Sequence, residues 1–208
     1  MDVLLIRHTA VDAEPGTCYG RRDVPLVEPC ETAFQWLDGG LPAIDAVVSS
    51  PLRRCARLGQ WLAARRGVPL SHDARWQELD FGQWEGRRWD DIGRTQRSAL
   101  DRWALDPLGF VAPGGESVRA LHLRVQAGLH ELHARATTAG WRRVAVVSHG
   151  GPIRALLAQA MGLAATKINA LDIPCGGAFA LRRVDAGWQR VTLETVRCGP
   201  DDLSEEDF

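Results

Sequence analysis

Two histidines and two arginine clusters stand where short apolar runs end. Arg7-His8 follows Val3-Leu4-Leu5-Ile6, Arg53-Arg54 comes soon after Ala46-Val47-Val48, and His149 with Gly150-Gly151 follows Val144-Ala145-Val146-Val147. Such runs are expected of strands buried on both faces. Open sheets of this kind bind ligands outside the carboxyl ends of their strands, so the three ends can converge in one crevice. Two histidines, two guanidinium groups and a Gly-Gly turn would make a cationic, donor-rich pocket suited to phosphate. Arg53 and Arg54 also fall in the first turn of an expected helix, where cations oppose the helix dipole by ~0.3–1 kcal/mol each unless an anion is shared. Arg54 neighbours Cys55 and Ala56 on the apolar stripe and is assigned to the site; Arg53 is assigned to solvent. The histidines could instead ligate a metal, but adjacent arginines repel a dication, so neither metal nor cofactor is expected.

The elements that must position these residues follow from periodicity and punctuation. Ser50 suits an N-cap and Pro51 a first helical position, opening a helix that Gly67 ends. Pro152 likewise suits the start of a helix over Ile153 to Met161. Between the second and third strands lies a helical stretch, with one helix anchored by Trp89, Ile92, Ala99, Leu100 and Trp103. A second carries Val118, Leu121, Val125, Leu129, Leu132 and Ala136 on one stripe. A hairpin, Ala178 to Val184 and Trp188 to Val196, turns at Asp185-Ala186-Gly187. The expected architecture is α/β: a doubly wound, mostly parallel sheet in one domain over residues 1–200. A helical subdomain is inserted at about 84–138, and an acidic, disordered tail follows at 201–208.

Composition narrows the classes. The chain has 208 residues and a formal net charge of -1, which gives no reason to expect nucleic acid or an anionic membrane as partner. Its longest uncharged stretch, Ala155 to Thr166, is too short to span a bilayer, and the N-terminus lacks signal-peptide features. A cytoplasmic protein is expected, and a homodimer is a possibility the sequence leaves open. Five cysteines without a CxxC pair are expected as free thiols. Lys167 is the only lysine, so 24 of the 25 basic residues are arginines.

Five segments in order, Leu5-Ile6-Arg7-His8-Thr9, Ser50-Pro51-Leu52-Arg53-Arg54, Gln77-Glu78-Leu79, Pro113-Gly114-Gly115-Glu116-Ser117 and Ser148-His149-Gly150-Gly151-Pro152-Ile153-Arg154, resemble the signature of the histidine phosphatase superfamily, which includes the phosphoglycerate mutases. Within it, the stretches Cys18–Leu26, Glu78–Gly86, Trp89–Ile92 and His149–Arg154 look most like the α-ribazole phosphatases of cobalamin biosynthesis. The resemblance implies a metal-independent phosphomonoesterase, acting on a small-molecule phosphate ester, with a phosphoglycerate mutase-like fold. His8 would be the nucleophile, while Arg7, Arg54 and His149 hold the phosphoryl oxygens and stabilise the transition state. Glu78 would protonate the leaving alkoxide and then deprotonate water, a role for a carboxylate held partly out of water. A broad small-molecule phosphatase or a mutase is the enzymatic alternative, and a catalytically silent phosphate-binding module is the non-enzymatic one.

The sequence departs from many relatives where Thr9 replaces a glycine and Glu14-Pro15 occupies the region of an asparagine. Thr9 and amides near Gly16 are expected to supply the lost contact, with Gly150 also lining the phosphate site. The arginine- and proline-containing run that mutases carry in the insertion is replaced by Arg102-Trp103-Ala104-Leu105-Asp106-Pro107, which argues against a mutase. Trp84 and Trp89 border the insertion, and either is expected to wall a flat substrate ring. His122, His130 and His133 are assigned to a solvated helix face, Asp90-Asp91 to a helix start, and Gly114 to Ser117 to a turn into the next helix.

Overall fold

The computed structural model describes residues 1–191 except Ala186. The end of the expected hairpin, Cys198 and the acidic tail lie outside the described residues. Six strands form one mixed sheet: β1 (Asp2–Arg7), β2 (Ala46–Ser49), β3 (Leu70–His72), β4 (Arg143–Ser148), β5 (Ala178–Val184) and β6 (Gly187–Val191), in the order β3-β2-β4-β1-β5-β6. The first four run parallel, while β5 is antiparallel to β1 and β6 to β5. The fold is α/β, as the sequence indicates.

Strand order explains the convergence of the chemistry. β4 lies between β1 and β2, with Arg7 opposite Ser148 and Ser49 opposite Val147. The ends carrying Arg7-His8, Ser50 and His149 are therefore neighbours. His8 N–H donates to the Ser148 carbonyl and Ser50 N–H to that of Val147, extending the ladder past the strands.

Alternating side chains bury two layers. Leu4, Ile6, Val47, Ala145 and Val147 face α1 (Glu31–Gly40) and α2 (Arg53–Arg66). Val3, Leu5, Val48, Val144 and Val146 face the layer containing α5 (Val118–Ala139) and α6 (Gly150–Ala160). α5 packs along α6 and shares its core with the sheet. The shorter α3 (Trp89–Thr95) and α4 (Arg97–Leu105) stand with their connecting loops between β3 and α5.

Three local expectations are corrected. The helix after β2 starts at Arg53 with Leu52 as N-cap, because Ser50 is held in the site and Asp23 Oδ1 accepts from Arg53 N–H at 2.8 Å. An acidic side chain from a distant loop thus supplies the anion that this helix end favours. The helix after β4 begins at Gly150, earlier than Pro152 suggested. The single helix drawn through Trp89 and Trp103 is two helices broken at Gln96, whose Oε1 accepts from Trp84 Nε1 at 2.8 Å.

Trp84 is fully buried, with Trp89, Trp103 and Phe110 around its ring at centroid distances of 6.1, 6.3 and 5.3 Å. It belongs to the same core cluster as Val3, Leu5 and the apolar stripe of α5, and is not the exposed wall that its place in the sequence suggests. Trp89 is half-buried and packs edge-on against Phe81. Trp84→Ala is therefore expected to cost ~3–5 kcal/mol of stability, as large aromatic truncations do. Activity toward large and small substrates should fall in parallel. A selective loss on the larger substrate at an unchanged thermal midpoint would restore the stacking role.

Candidate active site

Each candidate residue is placed by a strand end or a helix start. His8 is 2% exposed and His149 is fully buried, with ring centroids 5.3 Å apart. His8 Nδ1 lies 2.8 Å from the Thr9 carbonyl, a geometry in which Nδ1–H donates. The tautomer that makes this bond leaves the free lone pair on Nε2. His149 Nδ1 accepts from Arg54 Nε at 3.2 Å and Nε2 meets Ser50 Oγ at 2.9 Å, again fitting a neutral ring. Burial first, then the charges of Arg7 and Arg54, holds His8 well below the usual imidazole range, against the Thr9 bond. Burial, Arg54 and His8 do the same to His149.

This has a consequence for stability. Both native values lie below the ordinary ~6.5 that applies to the unfolded chain. As pH falls through that range, the unfolded chain takes up protons that the native rings refuse. Stability is thus fully present above it and lost below it, at ~1.4 kcal/mol per pH unit for each ring until the native values are reached. The thermal midpoint should drop between pH 7 and pH 5, and His8→Asn should flatten the slope. Identical slopes in both proteins would remove His8 as a source.

Arg54 is fully buried, and its Nη1 and Nη2 donate to the carbonyls of Arg22 and Gly20 at 2.9 and 2.6 Å. Arg53 is exposed, as assigned. Arg7 Nη1 donates to the Ile173 carbonyl at 2.5 Å, while its buried Nε has no protein acceptor; Thr9 Oγ1 is likewise buried and unpartnered. Polar atoms left open inside a protein mark a place where a ligand completes the bonding. The loop before β5 closes this side, with Gly176 N–H donating to the His8 carbonyl and Arg7 N–H to that of Gly177. Near Gly16 the chain is tied to the start of α3: the Gly16 carbonyl accepts from Trp89 N–H, and Glu14 pairs with Arg88.

Glu78 stands on the chain between the 3-10 turns Ala74–Trp76 and Gly82–Trp84. Both its carboxylate oxygens lie 3.1 Å from Gly151 N–H at the start of α6, and Oε1 also accepts from Leu79 N–H at 2.9 Å. A Cβ on Gly151 would collide with Oε1, so the second glycine of the turn is what lets the acid sit on the helix end. A Cβ on Gly150 would be 3.8 Å from both Arg7 Cζ and Glu78 Oε2, which places Gly150 between the two. Arg7, His8, Thr9, Arg54, Glu78, His149 and Gly150 thus share one region; Trp84 is in the core.

Several contributors carried little signal in the sequence. Arg124, on α5, donates to the carbonyls of Arg75, Gln77 and Glu78 and pairs with both oxygens of Glu116 at 2.7 and 2.8 Å. It braces the chain that presents Glu78. Glu116 serves that brace and Ser117 Oγ caps α5, the structural reading of that motif. Tyr19 lies beside the clamp, with Arg54 Cζ 5.6 Å from its ring centroid. Among the described residues, the group that could hold a metal ion is Glu28, Cys30 and Glu31 at the start of α1, where Arg57 pairs with both carboxylates. No described helix is long and apolar enough to cross a membrane.

The profile described as "Histidine phosphatase superfamily (branch 1)" matches residues 3–196. The chain is 35% identical to glucosyl-3-phosphoglycerate phosphatase of Mycolicibacterium vanbaalenii over 170 residues, 77% of this chain and 74% of that protein. It is 28% identical to phosphoserine phosphatase 1 of Hydrogenobacter thermophilus over 169 residues, covering 79% and 78% of the two chains. The crystal structure of the alpha-ribazole phosphatase from Shigella flexneri superimposes with a TM-score of 0.81 at 23% identity, covering 96% of this chain and 98% of that one.

Proposed function

Because the chain belongs to the histidine phosphatase superfamily, we propose that it is a metal-independent phosphomonoesterase working through a phosphohistidine on His8. The carrying observation is a buried His8 whose Nδ1 is tied to the Thr9 carbonyl, in the same region as the buried Arg7 Nε, which has no protein acceptor. In the first step Nε2 attacks phosphorus, the P–O bond to the alcohol breaks, and Glu78 gives its proton to the departing oxygen. In the second, water attacks the phosphohistidine, the P–N bond breaks, and Glu78 takes the water's proton. Arg7 and Arg54 offset charge on the phosphoryl oxygens throughout, with His149 as a further group at the phosphoryl site.

The finer reading is α-ribazole 5'-phosphate as substrate, in assembly of the cobalamin nucleotide loop. Its support is the resemblance of Cys18–Leu26, Glu78–Gly86, Trp89–Ile92 and His149–Arg154 to enzymes of that type. The first of these contains Tyr19, an aromatic ring already against Arg54. Tyr19 is our candidate for contact with the flat base, with the half-buried Trp89 as the second. The two sequence relatives named above are phosphatases of other esters while the Shigella flexneri structure is of an alpha-ribazole phosphatase, so a panel decides: α-ribazole 5'-phosphate, phosphoserine, glucosyl-3-phosphoglycerate and p-nitrophenyl phosphate, each assayed with EDTA. We expect turnover to survive EDTA and α-ribazole phosphate to lead by about tenfold or more in kcat/KM. Loss of activity in EDTA overturns the metal-free mechanism, and a lead for another ester reassigns the substrate.

A further inference from the structure

We infer that Glu85 is a positioning residue, whose carboxylate sets the loop that holds Arg54 and thereby the grip on the phosphoryl group. Its Oε1 accepts from the N–H groups of Arg21 at 2.8 Å and Phe81 at 3.1 Å, and its Oε2 from those of Gly20 and Arg22, both at 2.9 Å. Three consecutive backbone donors converging on one anion form a nest, here filled by a side chain of the protein itself. The carbonyls of the same loop serve the site, since Gly20 and Arg22 accept from Arg54 Nη2 and Nη1. Two of the three hydrogen bonds that orient Arg54 therefore come from a segment outside any helix or strand, and Glu85 ties down its N–H side.

Gly20 supports the same conclusion. A Cβ there would collide with the Leu79 carbonyl and lie 2.7 Å from Glu85 Oε1, so the close approach depends on glycine. Glu85 itself ends the 3-10 turn Gly82–Trp84. It thus links the segment that follows Glu78 with the clamp expected to hold the phosphate. This rests on the reading that Arg54 binds the phosphoryl group, and the test separates the two.

In Glu85→Gln the amide keeps one acceptor oxygen and turns N–H groups toward donors it should accept from. Displacing a binding group by about an ångström can cost ~10²-fold, so orthovanadate inhibition should weaken roughly 10–100-fold in a protein that remains folded at the assay temperature. kcat/KM should fall equally for p-nitrophenyl and alkyl phosphates, because the effect passes through the phosphoryl clamp and not the leaving group. Glu85→Asp, which keeps the charge, should recover part of the loss. In an Arg54→Lys background Glu85→Gln should add less than about threefold, since coupled residues are not additive. An inhibition constant within about threefold of wild type, or an equal cost in both backgrounds, overturns the positioning role. Should Glu85→Gln not fold, Glu85→Asp alone and in the Arg54→Lys background carries the same criteria. If Arg54→Lys binds vanadate as wild type does, the clamp reading fails instead.

Discussion

Replacing His8 with alanine is expected to abolish turnover, by roughly 10⁴-fold or more, while the protein stays folded. A residue that forms the bond to phosphorus has no substitute in the remaining chemistry. The imidazole is ready for attack at neutral pH because burial and two nearby guanidinium groups disfavour its protonation. The Thr9 carbonyl fixes which nitrogen carries the lone pair. The three buried serines nearby are committed elsewhere: Ser148 Oγ donates to the Trp76 carbonyl at 2.7 Å, Ser49 Oγ to the Ser50 carbonyl at 2.8 Å, and Ser50 Oγ meets His149 Nε2. Rapid quench of wild type with a labelled phosphate ester should trap acid-labile, base-stable phosphate on the His8 peptide. Label on Ser50 or Ser148, or an active alanine variant, would show that the nucleophile lies elsewhere.

What the sequence disclosed, and what it hid, follows from the range of the forces involved. Val3–Ile6 and Val144–Val147 read as strands because burial on both faces leaves a continuous apolar run. Once β4 sits between β1 and β2, the residues after those runs are brought together without further information. Arg54 was separable from Arg53 because helical periodicity puts one inward and the other outward. Roles made only by long-range pairing left no local pattern. Arg124 and Glu85 are charged residues that periodicity would leave on a polar face, yet each binds backbone groups far away in sequence. Trp84 misled for a related reason. Its place beside the Glu78 motif suggested the site, whereas the packing of Trp89, Trp103 and Phe110 around it makes it core. The break at Gln96 is likewise set by a side-chain bond to Trp84 that periodicity does not encode.

The dependence on leaving group tests Glu78 more sharply than loss of activity alone. An alkoxide is a strong base and departs slowly unless a proton arrives as the P–O bond lengthens. p-Nitrophenolate is a far weaker base and departs with little help. Glu78→Gln is close in shape, and its amide oxygen can still accept from Gly151 N–H, so the start of α6 should stay in place. General acid catalysis contributes ~10²–10⁴-fold, and that is the expected loss of kcat/KM on alkyl phosphates. On p-nitrophenyl phosphate the loss of the first step should be much smaller. Hydrolysis of the phosphohistidine still lacks its base, so phosphoenzyme should accumulate and a burst of p-nitrophenolate should precede a slow steady rate. A residue that merely held Gly151 and the α6 terminus would damage both substrates equally and produce no burst. Equal losses without a burst would therefore move Glu78 from proton transfer to structure.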